Sequence, residues 1–268
     1  MKFFVNKLIF IIIFSSISKI SLSHEYWIDP IKYHLKSNEI IKAGVFIGDN
    51  FEGFQIGFSK KNFRKLNLFS KNKKKKIKGR MGDFPALNIE EVFTGLNIIQ
   101  VESEMNYVDY KGLLKFEVFS KNKGYSNLVD IHKKRNYPDN FVESYKRYAK
   151  SLVSVDNFDG NDVDTNMELE LILLDNPLKN LIESKRVLLE YQNKILIDHQ
   201  VSIMSLSDNN FKREFLKTND EGYIEFLFKK NTKYLIESVV IIEGSNKKKD
   251  KYAKWHSLWA SYTLKTPN

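Results

Sequence analysis

The stretch MELELILL, residues 167–174, sets the terms for the fold. Met167, Leu169, Leu171 and Leu173 share one side of an extended chain, and Glu168 and Glu170 share the other. A period of two is the signature of a half-buried β-strand. The same alternation, or a short apolar run closed by Gly, Asn, Asp or Lys, recurs along the chain. It is found at HEYWI (24–28), IIKAGVFI (40–47), KLNLF (65–69), LNIIQVE (96–102) and LLKFEVF (113–119). It returns at RVLLEYQ (186–192), KILIDHQVSIMSL (194–206), YIEFLFK (223–229), YLIESVVII (234–242) and SLWASYTL (257–264). Many short strands separated by turn residues predict a mainly β protein with two β-sandwich domains, Ig-like or transthyretin-like.

One segment departs from that period. In PDNFVESYKRYAKSL, Phe141, Tyr145, Tyr148, Ala149 and Leu152 fall on one face of a helix, with Asp139 placed to cap it. The expected organisation is therefore an N-terminal β-domain (24–126), a helical bridge (127–157) and a C-terminal β-sandwich (158–268). VDNFDGNDVDTN (155–166) reads as a polar linker without the acid spacing of an EF-hand. KNKKKKIK (71–78) reads as a solvated loop. In TNDEGYIEF (218–226), Asn219 to Gly222 predict a tight turn with strand on both sides.

The N-terminus bounds the location. Lys2 and Lys7 precede or flank the apolar run LIFIIIF (8–14). That run is well short of the ~20 residues needed to span a bilayer. Ser21 and Ser23 supply small residues at the −3 and −1 positions, which predicts a secretory signal over 1–23, cleaved after Ser23. The expected protein is periplasmic or secreted, not membrane-spanning after cleavage, and begins at His24. The chain contains no cysteine, so disulfides, thiolate metal sites and a lipoprotein anchor are excluded. Its +10 net charge is dispersed apart from 71–78, and export argues against a nucleic-acid partner.

His24 is the sharpest chemical feature. As the first residue of a processed chain it would offer both an α-amine, with an ordinary pKa near ~8, and an imidazole nitrogen to one metal ion. Such nitrogens suit copper, nickel and zinc. His256, in the last strand, is the candidate that would complete a three-nitrogen set. His34 and His132 lie among basic residues, and His199 alternates with Ile197 and Val201 toward a core. Trp27, Trp255 and Trp259 suit either a core or an aromatic platform. The sequence has no Gly-x-Ser-x-Gly, His-Glu-x-x-His or phosphate-binding Gly loop, so no catalytic residue is assigned.

Several stretches in order resemble the DUF4198 family of exported bacterial proteins. HEYWIDP is similar to the family's His-x-x-Trp opening, and GDNFEGFQIGF (48–58) to its Gly-x-x-Phe-x-Gly segment. YKRYAKSLV (145–153) is similar to its Tyr-x-x-x-Ala-Lys-x-Leu helix. TNDEGYIEF and WHSLWASYTL (255–264) resemble its closing strands. The resemblance implies a non-enzymatic protein of nickel or cobalt uptake, working with an inner-membrane metal transporter. It also implies a His-Met pair in the penultimate strand, where this chain reads SVVII (238–242). The expectation is a binder of nickel, cobalt or copper through His24 and His256. The alternative is an interaction module for an envelope protein or polymer, without metal.

Overall fold

Residues 24–244 and 252–268 are described by a computed structural model, and the expected signal segment 1–23 lies outside the described residues. Apart from LLKFEVF, the segments of alternating or short apolar pattern form strands, as their β-branched and aromatic content favours. The first part of the chain runs β1 (Glu25–Pro30), β2 (His34–Leu35), β3 (Ile41–Asp49), β4 (Glu52–Ile56), β5 (Phe63–Ser70) and β6 (Lys73–Lys76). It continues through β7 (Leu87–Ile89), β8 (Gly95–Ser103) and β9 (Asn106–Lys111) to the helices α1 (Leu113–Asn122) and α2 (Leu128–Lys134). Then come β10 (Asn140–Val155), β11 (Leu169–Leu173), β12 (Lys185–Tyr191), β13 (Lys194–Ile195) and β14 (Gln200–Ser207). The last are β15 (Asn210–Lys217), β16 (Tyr223–Phe226), β17 (Lys233–Glu243) and β18 (Ala253–Lys265).

A ten-stranded sheet forms the middle of the molecule, in the order β15-β14-β17-β18-β10-β8-β5-β6, with β2 and β9 also paired to β10. Its centre is the parallel pair β10 and β18, Glu143 opposite Trp255 through Ser151 opposite Thr263. Alternation along these strands gives the sheet two buried faces. On one face Ala149, Val153, Leu66, Leu68, Ile99 and Val101 pack against the sheet of β1, β3, β4 and β7. On the other, Tyr148, Leu152, Leu258, Tyr262 and Ile236 pack against the sheet of β11, β12, β13 and β16. The first face also carries the helices, which cover Trp255, Trp259, Val239 and Ile241 with Phe116, Phe119 and Leu128.

The expected helix over 139–152 is a strand, and so the helical bridge over 127–157 reduces to α2 followed by β10. The physical reason is burial on both sides. Tyr148 and Leu152 fill one core, while Ala149 and Val153 fill the other. A strand covered on both faces loses its period of two, and its apolar positions then mimic a helical stripe. LLKFEVF errs the other way, since 113–119 belongs to α1. Phe116, Phe119 and Ser120 form its buried face at helical spacing, while Leu114 is exposed. Gly124, at φ 90°, ends that helix, with its N–H bonded to the Lys121 carbonyl.

Two smaller expectations also change. The lysine run contains an edge strand, β6, rather than only a loop. Lysine on a sheet edge blocks pairing with another chain. The Asn219–Gly222 turn forms, with the Gly222 N–H on the Asn219 carbonyl at 2.9 Å and φ 79° at the glycine. It joins β15 of the central sheet to β16 of another sheet rather than closing a two-stranded hairpin.

Candidate functional site

The first residue of β1 meets the β3–β4 hairpin. This hairpin turns at Asn50 and Phe51, both at positive φ (57° and 65°), the backbone of a type I′ turn. Gly48 and Gly53 face each other across the ladder. A Cβ on Gly48 would lie 2.0 Å from the Glu52 carbonyl oxygen and 2.4 Å from the Gly53 Cα, so glycine is required for that close approach. The turn places the Asp49 carboxylate 3.0 Å from His24 Nδ1 and points the Asn50 N–H at Glu25 Oε2 at 2.9 Å. Register with β3 holds β1 in place, and Ser261 Oγ and Thr263 Oγ1 donate to the carbonyls of Tyr26 and Ile28. The start of β1 is thus pinned across β18.

Beyond His24 the sheet face is polar. By register, Phe215, Ser202, Glu237 and Ser261 form one row across β15, β14, β17 and β18. Arg213, Met204, Leu235 and Thr263 form the row beside it. Arg213 ion-pairs with Glu25 and donates to Asn50 Oδ1 at 2.9 Å. From the end of α1, Lys123 reaches Glu237 at 2.7 Å and lies 4.6 Å above the Trp259 ring. Phe119 stacks on the same indole, which fixes the helix end over the sheet. Hairpin, sheet face and helix end enclose a cavity of about 900 Å³.

The electrostatics of this cavity are close to balance. Glu25, Asp49, Glu52 and Glu237 face Lys121, Lys123 and Arg213, with His24 at the edge. Burial, and then the neighbouring Glu237 carboxylate, push the Glu25 carboxyl above its usual range, against the pull of Arg213 and Lys123. Three buried polar atoms here have no hydrogen-bond partner: Glu237 Oε1, Ser202 Oγ and Arg213 Nε. A buried polar atom without a partner costs on the order of 1–3 kcal/mol, so three in one wall call for an explanation.

The structure does not bring His24 and His256 together. His256 alternates with Trp255 and Ser257 on β18 and so faces the opposite side of the central sheet from the cavity. It is buried there, with Nδ1 3.0 Å from Ser144 Oγ. The other histidines hold the frame. His34 Nδ1 meets Ser154 Oγ at 2.8 Å, and burial lowers the pKa of this imidazole. His132 accepts from Trp255 Nε1 at 3.0 Å and donates to the Pro138 carbonyl at the same distance. His199 donates to the Val239 carbonyl at 3.1 Å, and burial lowers its pKa too. The three tryptophans are core residues, each at most 3% exposed.

No group of three or more His, Cys, Asp or Glu side chains is arranged to hold a metal ion among the described residues. The His24–Asp49 pair supplies two donors, one nitrogen and one oxygen. The α-amine of a chain processed after Ser23 would be the third. That donor chemistry fits a divalent first-row ion with open positions.

Sequence reasoning missed Arg213, Lys123 and Glu237. Glu237 had a signal, being the one charged residue inside the apolar run YLIESVVII. Arg213 and Lys123 had none, since both sit among other lysines and polar residues.

The family model described as "Domain of unknown function (DUF4198)" matches residues 21–241. No curated protein matches the chain. Among the described residues, no helix is long and apolar enough to cross a membrane.

Proposed function

The chain belongs to the DUF4198 family, and from that premise we propose that it is an exported, non-enzymatic protein that binds a transition-metal ion. Nickel, cobalt or copper would be held at the start of the processed chain and passed to an inner-membrane transporter. The observation that carries this reading is the 3.0 Å contact between His24 Nδ1 and Asp49 Oδ2 at the edge of the cavity. The two segments that resemble family motifs, HEYW at 24–27 and GDNFEG at 48–53, meet at that point. His24 and Asp49 would hold the ion together with the α-amine, and neutral imidazole and ionised carboxylate are the forms that ligate. His256 is not part of this set, because it lies across the sheet.

The same reading keeps a two-sandwich organisation in which both sandwiches share the central sheet. One core lies on each of its faces, which supports it. Calorimetric titration of Ni²⁺ and Cu²⁺ into protein beginning at His24 tests the metal site. One residue added before His24, or Asp49→Asn, is expected to weaken binding by about tenfold or more. His34→Ala and His256→Ala are expected to leave it unchanged. No binding by the processed protein, or equal affinity in every variant, would overturn the reading.

A further inference from the structure

A metal ion uses only the edge of this cavity. The cavity as a whole, about 900 Å³, is within the range of small-molecule sites. The wall lining that space is built from two almost fully buried side chains and the half-buried Arg213, all incompletely bonded. Glu237 is 2% exposed and Ser202 5% exposed, and they are register partners on β17 and β14. Glu237 Oε2 accepts from Lys123 while Oε1 accepts from nothing. The Arg213 terminal nitrogen is committed to Glu25 and Asn50, while its Nε donates to nothing. One wall therefore offers a spare anionic acceptor and a spare cationic donor within two adjacent cross-strand rows. Ser202 on β14 lies between the two: it is the direct cross-strand neighbour of Glu237, about 4.5–5.5 Å away, and the diagonal neighbour of Arg213, about 7–8 Å away.

We infer that this cavity binds a small zwitterion of the α-amino acid or short-peptide class. Its ammonium group meets Glu237 Oε1 and Ser202 Oγ, and its carboxylate meets Arg213 Nε. Three observations select this chemistry. The spare atoms come as a donor and an acceptor, so a ligand with one kind of charge satisfies only half of them. The charged lining, four carboxylates against three cations, offers partners of both signs, and a zwitterion engages both without changing the net charge of the site. Phe54, Phe119 and Phe215 line the same cavity and give apolar surface to a side chain. The alternative of an anion alone is disfavoured by the Glu237 carboxylate, which no such ligand would approach. This inference goes beyond the metal reading and requires no metal.

The test uses protein processed to His24, in buffer containing EDTA, with thermal shift and calorimetry as readouts. The probes are L-phenylalanine and L-alanyl-L-alanyl-L-alanine, with N-acetyl-L-phenylalanine amide as a control that lacks both charges. A ligand that binds only the folded state raises the melting temperature as its concentration passes Kd. Binding of either zwitterion, with the blocked compound at least about tenfold weaker, is expected, because a site built to bond polar groups rejects analogues that lack them. The responding probe then identifies a free amino acid or a peptide as the source. Glu237→Gln and Arg213→Lys are expected to weaken binding similarly, and Ser202→Ala serves if either fails to fold. Absence of binding by both zwitterions overturns the inference, as does equal binding of the blocked compound or unchanged binding by the variants. Binding that disappears only in EDTA also overturns it, since a metal would then be the receptor. Loss of nickel binding alone leaves it intact.

Discussion

Two clusters of buried charge sit on this one sheet, and they are finished differently. On one side Lys150, fully buried, donates at 2.9 Å to each of three acceptors: Asp162 Oδ2, Glu170 Oε1 and the Val163 carbonyl. Glu170 also accepts from the Thr165 and Met167 N–H groups, and Asp162 from the Leu173 N–H. All three ammonium protons are used. The cluster ties the irregular 156–168 segment to β10 and β11, which is a structural task. On the other side, Glu25, Arg213, Glu237 and Lys123 pair with one another but leave Glu237 Oε1 and Arg213 Nε without a partner, in residues that line the cavity. A buried network with spare valence is a poor structural device, because an unsatisfied group costs more than a satisfied one returns. The contrast separates a network that closes the fold from one that a ligand completes.

The largest effect expected from breaking this comparison falls on the closed cluster. Lys150→Met would leave Asp162 and Glu170 buried without their cation. It is expected to lower stability by ~3–5 kcal/mol in urea denaturation. A loss below ~1 kcal/mol would mean that the linker segment is not held by this network.

A buried carboxylate outside both clusters sharpens the contrast. Glu143 is held by hydroxyls rather than by a cation in contact, accepting from Ser257 Oγ and from Tyr110 OH at 2.9 Å. Burial raises its pKa to about 7, against the hydrogen bonds of Ser257 and Tyr110 and the charge of Arg147. The folded protein therefore holds this proton more tightly than the unfolded chain does. The stability it contributes is complete below about pH 4.5 and is lost as pH rises through about 7. Glu143→Gln is expected to remove a decline of roughly 3 kcal/mol across that window. Denaturation at pH 5 and pH 8 checks it, and parallel pH profiles in both proteins would refute it.

The strands and the site were unevenly legible in the sequence. β11 was readable because Leu169, Leu171 and Leu173 enter one core. Even there, Glu170 is buried against Lys150 rather than facing solvent, since its partner lies 20 residues away in sequence. β10 was misread as a helix because both its faces are covered, which erases the alternation on which the reading depends. The processing pattern and chelating chemistry single out His24 as a candidate ligand. Its partner Asp49 was not legible, because the contact depends on a hairpin register that only the folded chain sets. His256 was placed near His24 on the expectation that terminal strands are neighbours. β1 does lie across β18, yet a single-residue step along a strand turns the side chain to the opposite face.

The smaller expected effects lie in the open cluster. Glu237→Gln keeps the shape of the side chain and removes a charge from a site with two buried carboxylates. It is expected to change stability by no more than ~1 kcal/mol while weakening the response to zwitterions. A loss comparable to that of Lys150→Met would mean that the two clusters serve the same purpose. Smallest of all is His256→Ala, which is expected to leave nickel affinity unchanged in calorimetry.

The most direct measurement follows the Arg213 side chain itself. In ¹H–¹⁵N spectra of the protein processed to His24, the Arg213 Nε–H resonance, assigned by its absence in Arg213→Lys, is observed during titration with L-phenylalanine and with L-alanyl-L-alanyl-L-alanine. If the open cluster is completed by a ligand carboxylate, this resonance shifts downfield and saturates with the binding isotherm of one of the two. If it stays in place at saturating concentrations of both, the spare donor is not a ligand contact, and the distinction between the two clusters fails.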